Sequence, residues 1–318
     1  MKTSYLVAGS IAGLALISAV ATAQSWSPPS SGQRCPSKWG AADERGAANL
    51  LTPESVLNAS KLIRTGEVVE LGRVLSMDMP LFGTRRFDIH TKRTGGPMGS
   101  NKRYTNEELV ISEIGQVGTQ FDMFSHQSID NSHYNCFATD EITSRNGFTK
   151  LGVEKIGAIY TRGVLIDVAA AKRVDMLAAG YEITSADLQD AIAKQGITLK
   201  RGDAVLIHTG WGKLWGVDNA KYNASGPGIG VGAAEWLAKQ EPVLFGSDNV
   251  PVEVLPNPDK SISLPIHQIA LVVHGIFLLE NMKLDELAAK KVYEFAFVVQ
   301  PLKIKGGTGS TVAPIAIR

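Results

Sequence analysis

Hydrophobic and polar positions follow two different periods along this chain, and the switches between them mark out its elements. Arg162 to Val168, Ala204 to Thr209 and Val243 to Ser247 are short, almost unbroken apolar runs, which predicts buried strands. Helices are predicted near Ala169 to Ala179, at Ser185 to Gln195 behind a Thr184/Ser185 cap, and at Ala233 to Lys239. Strands and helices thus alternate through the second half, the pattern of an α/β layered fold. In the first half, Thr52 as N-cap and Pro53 at the first helical position open a helix over Glu54 to Arg64. Gly66 stops it, and Val68 to Leu71 starts a strand. Ser25 to Gln33, rich in Ser and Pro, reads as an extended arm. Phe82 to Arg103 carries Gly, Arg and Lys without apolar periodicity, so a surface loop is expected, of a length that often closes over a site. Glu108 to Phe124 alternates as one strand does. No repeat, low-complexity tract or linker is visible, and residues 24–318 read as one domain.

The amino terminus adds a compartment. Lys2, the apolar run Leu6 to Val20 and the small residues Ala21-Thr22-Ala23 have the form of a secretory signal peptide over residues 1–23, so a periplasmic or secreted chain is expected. Gly9, Ser10, Gly13 and Ser18 interrupt the run, which is short for a membrane span; no membrane partner is expected after cleavage. Lys and Arg number 32 against 31 Asp and Glu, which offers no electrostatic case for nucleic acid and makes a small molecule the expected partner. Cys35 and Cys136 are the only cysteines, too few for a Cys-rich zinc module. They permit one disulfide, which an oxidising compartment would favour, or two free thiols.

The densest polar stretch is Gln116 to His126. In a strand, residues two apart share a face, so Gln116, Gly118, Gln120 and Asp122 would point one way while Val117, Thr119 and Phe121 pack behind. His126 can fold back towards that face after a turn. Carboxylate and imidazole together suit a divalent metal or a general base; a polar edge strand with a surface His is the alternative. A second cluster lies in Leu264 to Asn281. Pro265 fits a helix start and Gly275 a stop, and Ile276 to Leu279 reads as a strand ending at Glu280. That leaves His267 at a helix entrance and Glu280 at a strand exit, two positions from which a polar group can face a cleft. His274 in the last helical turn, His208 in a strand and the tryptophans read first as structure, although Trp211 could line an aryl pocket. The Gly226 to Ala233 glycines do not follow a strand, as a dinucleotide fingerprint must, and Ser125 lacks a nucleophile elbow.

These residues resemble the signature of the cyclase family that includes kynurenine formamidase and isatin hydrolase, His-x-Gly-Thr-His-x-Asp-x-x-x-His with a distant His and Glu. Here it stands as Gln116-x-Gly118-Thr119-Gln120-x-Asp122-x-x-x-His126, with His267 and Glu280 matching the later pair. Similarity runs from Trp39-Gly40 to Glu280-Asn281, nearly the whole mature chain. The resemblance implies the swivelling β/β/α cyclase-like fold, a mixed sheet core with flanking helices, and a homo-oligomer. It implies a divalent ion, Mn2+ or Zn2+, on Gln120, Asp122, His267 and Glu280, with Gln116 and Trp211 towards the substrate. His126 takes the family's proton-transfer place. The implied reaction is metal-assisted hydrolysis of a small amide, N-formyl or cyclic amide or lactone bond. Both of the signature's first two histidines are glutamine here, as in an offshoot with Gly-Thr-Gln-Phe-Asp at this place. A neutral amide oxygen is a harder, weaker donor than imidazole, so the ion is either retained or lost. If it is lost, a non-catalytic periplasmic binding protein that kept the fold is the alternative.

Overall fold

The computed structural model describes residues 25–318, so the predicted signal peptide lies outside the described residues. Eleven strands carry the architecture: β1 (Val68–Glu70), β2 (Phe87–Met98), β3 (Arg103–Ser112), β4 (Gln120–Asp122), β5 (Ile159–Asp167), β6 (Ala204–His208), β7 (Leu244–Ser247), β8 (Phe277–Glu280), β9 (Glu294–Val299), β10 (Gly309–Thr311) and β11 (Ile315–Ile317). Nine of them form one mixed sheet in the order β1-β11-β9-β5-β6-β7-β8-β4-β10. Strands β5 to β8 are parallel, and their neighbours on either side run antiparallel. This is the α/β arrangement expected, a mixed sheet with helices against it.

The parallel strands are apolar throughout because they are covered on both faces. Val164 to Ile166, Val205 to Ile207, Leu244, Phe245 and Phe277 to Leu279 are all fully buried. Each such side chain contributes roughly 1.5–3 kcal/mol over its exposed state. Parallel pairing needs crossovers. After α1 (Pro53–Ser60), which packs on β5 and β9, α2 (Ser185–Gln195) links β5 to β6 and α3 (Val231–Ala238) links β6 to β7. A helical turn over Pro265–His267 continues as a π-helix over Gln268–His274 before β8. Thr184 caps α2 by accepting from the Asp187 amide, and Gly275, at φ 62°, ends the π-helix in the left-handed region.

Three local expectations are corrected. The expected loop from Phe82 to Arg103 is largely a strand: β2 pairs with β3 from Phe87–Ser112 through Arg93–Asn106, with shifts at Gly95 and Met98. This hairpin stands outside the main sheet and is mostly exposed, so backbone pairing shapes it and its first strand shows no apolar period. Glu108 to Phe124 is two strands, because the Gln116 amide turns back to the Glu113 carbonyl and Gly118 takes φ 64°. The helix after β5 stops at Ala171, where Arg173 enters the left-handed region. Among the described residues no helix is long and apolar enough to cross a membrane.

Cys35 and Cys136 are joined by a disulfide with Cα atoms 5.9 Å apart, tying the amino-terminal arm to the loop that follows β4. The bridge closes 101 residues of sequence separation, which in a chain-entropy account restricts the unfolded state substantially. Reduction, or Cys136→Ser, is expected to lower unfolding free energy by about 2–4 kcal/mol. Urea titrations with and without reductant measure it, and coincident curves would show that the bridge constrains nothing.

Candidate active site

The four parallel strands end in register, and their carboxyl ends carry Asp167, His208, Ser247-Asp248 and Glu280 along one edge. Open α/β sheets gather ligands at that edge. At its β8 end, β4 pairs antiparallel and sets Gln120 opposite Glu280. Gln120 and Asp122 lie two apart on β4; Gln116 reaches them from the turn, its Nε2 donating to Asp122 Oδ1 at 3.3 Å. The Gln120 amide nitrogen donates to Glu280 Oε2 at 2.6 Å and to Gln116 Oε1 at 3.4 Å. His126 folds back through a turn closed by its amide on the Met123 carbonyl at 2.8 Å. Its ring centroid lies 6.0 Å from that of His267. Asp122, His126 and His267 each offer a ligand atom, all within 4.8 Å of one another.

His267 is held on both sides. Its Nδ1 is 2.6 Å from Glu253 Oε1, and its Nε2 is 3.1 Å from Glu280 Oε1 and 3.7 Å from Asp122 Oδ2. Burial alone would lower the His267 pKa, but the hydrogen bonds and charges of Glu253 and Glu280 outweigh it and raise it well above the ordinary value. Burial raises the Asp122 carboxyl, against the pull of the His126 and His267 rings. His126 is lowered by burial more than nearby Asp122 raises it.

A divalent cation fits this set. Asp122 Oδ2 and Gln120 Oε1 are buried without a hydrogen-bond donor, although nearly all buried polar atoms have a partner. Three buried carboxylates, Asp122, Glu253 and Glu280, face the single imidazolium of His267 in the interior. The Glu253 contact fixes a proton on His267 Nδ1 and leaves Nε2 for a metal, the usual carboxylate–histidine–metal order. Gln120, Asp122, His267 and Glu280, the ligand set inferred from sequence, are therefore brought together; His126 joins them, and both Glu280 oxygens already accept from Gln120 and His267.

The cyclase family model matches residues 69–254 of the chain. The chain belongs to the cyclase family. A crystal structure described as a novel cyclase is 33% identical, covering 88% of this chain and 96% of its own, with a TM-score of 0.81. Isatin hydrolase A from Ralstonia solanacearum is 23% identical over 84% of this chain and 97% of its own, with a TM-score of 0.58. A structure described as a potential metal-dependent hydrolase with cyclase activity is 16% identical over 79% and 98%, with a TM-score of 0.51. These last two share the fold. No curated protein sequence matches.

Other residues of this cyclase-family site escaped the sequence. Glu253, fully buried between Val252 and Val254, accepts from the Ile266 and His267 amides as well as the His267 ring. A carboxylate inside an apolar run was its only signal. Arg85 reaches Gln116 from the segment before β2. Trp211 is not on the cleft wall: it is fully buried with Tyr222 and Val250, its indole donating to the Tyr222 carbonyl at 3.1 Å. The cleft that reaches Gln116 and Gln120 is narrow, about 10 Å³. Larger cavities of 670 and 440 Å³ lie beside Arg34 and Arg162, away from Asp122, so donor chemistry and not volume locates the site.

His208 forms a second buried group, 2.8 Å from Asp167 and 3.8 Å from both Asp248 and Asp285. Burial opposes its charge, yet the hydrogen bond to Asp167 and the nearby carboxylates of Asp285 and Asp248 prevail and push its pKa up to about 10 from 6.5. A pKa raised by folding stabilises fully below the unfolded value, and that stability is lost as pH rises through about 10. Stability is therefore expected to fall between pH 6.5 and 10, and His208→Gln should remove part of the fall. Urea midpoints of the two proteins across this range check it; parallel curves would leave His208 with no part in the decline.

Proposed function

We propose that the chain is a metal-dependent hydrolase that cuts a small amide, N-formyl, cyclic amide or lactone bond. The observation that carries this is the convergence of Asp122, His126 and His267 beside uncompensated buried negative charge. Asp122 and His267 would hold a divalent cation, Mn2+ or Zn2+, with Gln120 Oε1 and Glu280 as further oxygen donors. Such an ion supplies Lewis acidity, which lowers the pKa of water and polarises an acyl oxygen.

The remaining work falls to side chains. His126 is less deeply buried than Asp122 and His267, so of the three it is the one placed to pass protons outward. With its pKa lowered it is neutral near pH 7 and able to accept a proton from the attacking water. The same nitrogen then returns the proton to the departing nitrogen or oxygen. Gln116 holds Asp122 Oδ1, and Glu253 holds the His267 ring. The retained donor set supports this reading over a binding protein that has lost its ion.

The two roles separate in a pair of variants. Asp122→Asn is expected to abolish both metal uptake and turnover. His126→Ala should keep its metal while the rate falls ~10²–10⁴-fold, and should lose the acid limb of kcat/KM, which in the parent lies below the ordinary histidine range. Metal analysis and rates on formyl-aniline, cyclic amide and lactone substrates measure both. Metal and rate unchanged in Asp122→Asn would sink the assignment, and metal lost in His126→Ala would make that residue a ligand.

We also propose an extracytoplasmic, self-associating protein. The disulfide supports an oxidising compartment. A hairpin exposing Ile89, Leu109, Val110 and Ile111 supports contact with a second copy. Cell fractionation and light scattering decide these, and a cytoplasmic monomer would overturn both.

A further inference from the structure

Three non-glycine residues with a left-handed backbone border the three members of the His267 grip. They are Val252 directly before Glu253, Leu264 at the entry to the Pro265 turn and Asn281 directly after Glu280, at φ 62°, 47° and 57°. Among the described non-glycine residues with that backbone, Val252 alone is β-branched, the side-chain type that adopts it least readily. The Glu253 amide donates to the Pro251 carbonyl at 2.6 Å, two residues back, which closes a γ-turn about Val252 of the rare, strained hand. Such a conformation persists only where its surroundings over-determine it. Here the Ile229 amide donates to the Val252 carbonyl and the Val254 amide to the Ile229 carbonyl, each at 3.2 Å, and Asn249 Nδ2 donates to the Glu253 carbonyl at 3.2 Å. Gly228 closes the other side. A Cβ there would overlap the backbone carbonyls of Val252 and Glu253, while the Gly228 backbone is not left-handed, so space and not conformation requires the glycine.

A backbone locked from both sides leaves the Glu253 side chain little choice of direction. Its bonds all go one way, to the Ile266 and His267 amides and the His267 ring. We propose that Val252 and Gly228 are positioning residues for the site. The strained turn, wedged against Gly228, aims the Glu253 carboxylate so that the His267 ring is held by Nδ1 in advance, with Nε2 directed towards Asp122 and Glu280. Neither residue touches the reacting atoms; both act through Glu253. Glycine at 252 would take φ 62° without strain but would not hold it, whereas the fully buried valine side chain pins the turn to the core. The inference rests on the metal reading of the site for its consequence, since a ring already fixed by its outer partner is a better ligand.

The test is Gly228→Ala, with Gly230→Ala as its control, because a Cβ on Gly230 meets the Glu182 side chain and nothing of Glu253. Gly228→Ala is expected to weaken Mn2+ or Zn2+ binding, titrated by calorimetry, roughly 10- to 100-fold, the usual effect of disturbing a ligand's outer hydrogen-bond partner. Gly230→Ala should bind as the parent does. In Glu253→Gln, which removes the charge being aimed, adding Gly228→Ala should weaken binding little further. A structural role alone would give the full product of the two effects. That product, or unchanged affinity in Gly228→Ala, overturns the inference. A second readout needs no metal: the His267 Nδ1–H proton resonance of the metal-free protein, assigned by its loss in His267→Gln, should shift in Gly228→Ala and stay in Gly230→Ala. If the wild type binds neither ion, the metal reading fails and this resonance alone decides; equal shifts in the two variants, or none, overturn the inference. Should Gly228→Ala not fold, Val252→Gly takes its place in both measurements.

Discussion

One imidazole, His267, is gripped by carboxylates from two other pieces of chain, and the rest of the candidate site is arranged around that grip. Glu253 arrives from the segment after β7, His267 from the helical turn at Pro265, and Glu280 from the end of β8. In an interior of low dielectric, removing one member leaves a buried charge without its partner, a loss of about 3–5 kcal/mol. Glu253 adds the Ile266 and His267 amides to its load, so it also anchors the start of that turn. The π-helix that follows gives the chain a wider turn before Gly275 returns it to β8, a device common at functional sites.

Carrying amides at Gln116 and Gln120 in place of imidazoles limits what the site can do with protons. Amides do not titrate, so proton traffic is confined to His126, His267 and the carboxylates. The amides instead form a chain of bonds from Arg85 through Gln116 to Asp122 and from Gln120 to Glu280. That chain occupies Asp122 Oδ1 and Glu280 Oε2 while leaving Asp122 Oδ2 and Gln120 Oε1 bare. A harder, oxygen-richer donor set results.

The buried strands β5 to β8 were legible because continuous apolar runs bounded by Gly and polar residues have few other readings. The Thr184 cap, Pro265 and Gly275 were legible for the same local reasons. Alternation alone placed Gln120 and Asp122 on one face, and β4 bears that out. Gln116 belongs with them for another reason: Gly118 makes the chain turn, which brings Gln116 back to within 3.3 Å of Asp122. The hairpin escaped because β2 beyond Phe87 is mostly exposed and packs on no other strand of the sheet, so its residues keep no apolar period. Glu253 and Arg85 escaped because their roles are set by partners 14 and 31 residues away, respectively. Periodicity has no access to such contacts.

The same strand edge holds two clusters in which a histidine meets carboxylates, and charge balance tells them apart. Around His208, the carboxylates of Asp167, Asp248 and Asp285 are met by the His208 imidazolium, by Arg73 and by Lys213. Asp248 is further satisfied by the Thr209 amide and hydroxyl and by the Gly212 amide. The chain's own cations suffice there, and the group can serve as a strut at the ends of β5, β6 and β7. Around His267, three interior carboxylates have one imidazolium between them and two oxygens lack a donor. Isolated buried charge is driven either to take up protons or to recruit a cation. Burial raises the Asp122 carboxyl in keeping with that pressure, and a divalent ion held there would relieve it. Residue types alone do not separate a strut from a reactive site here, and Asp285 Oδ1 in the first cluster is bare as well; what differs is that the carboxylates around His267 all lie inside while Asp285 is partly exposed.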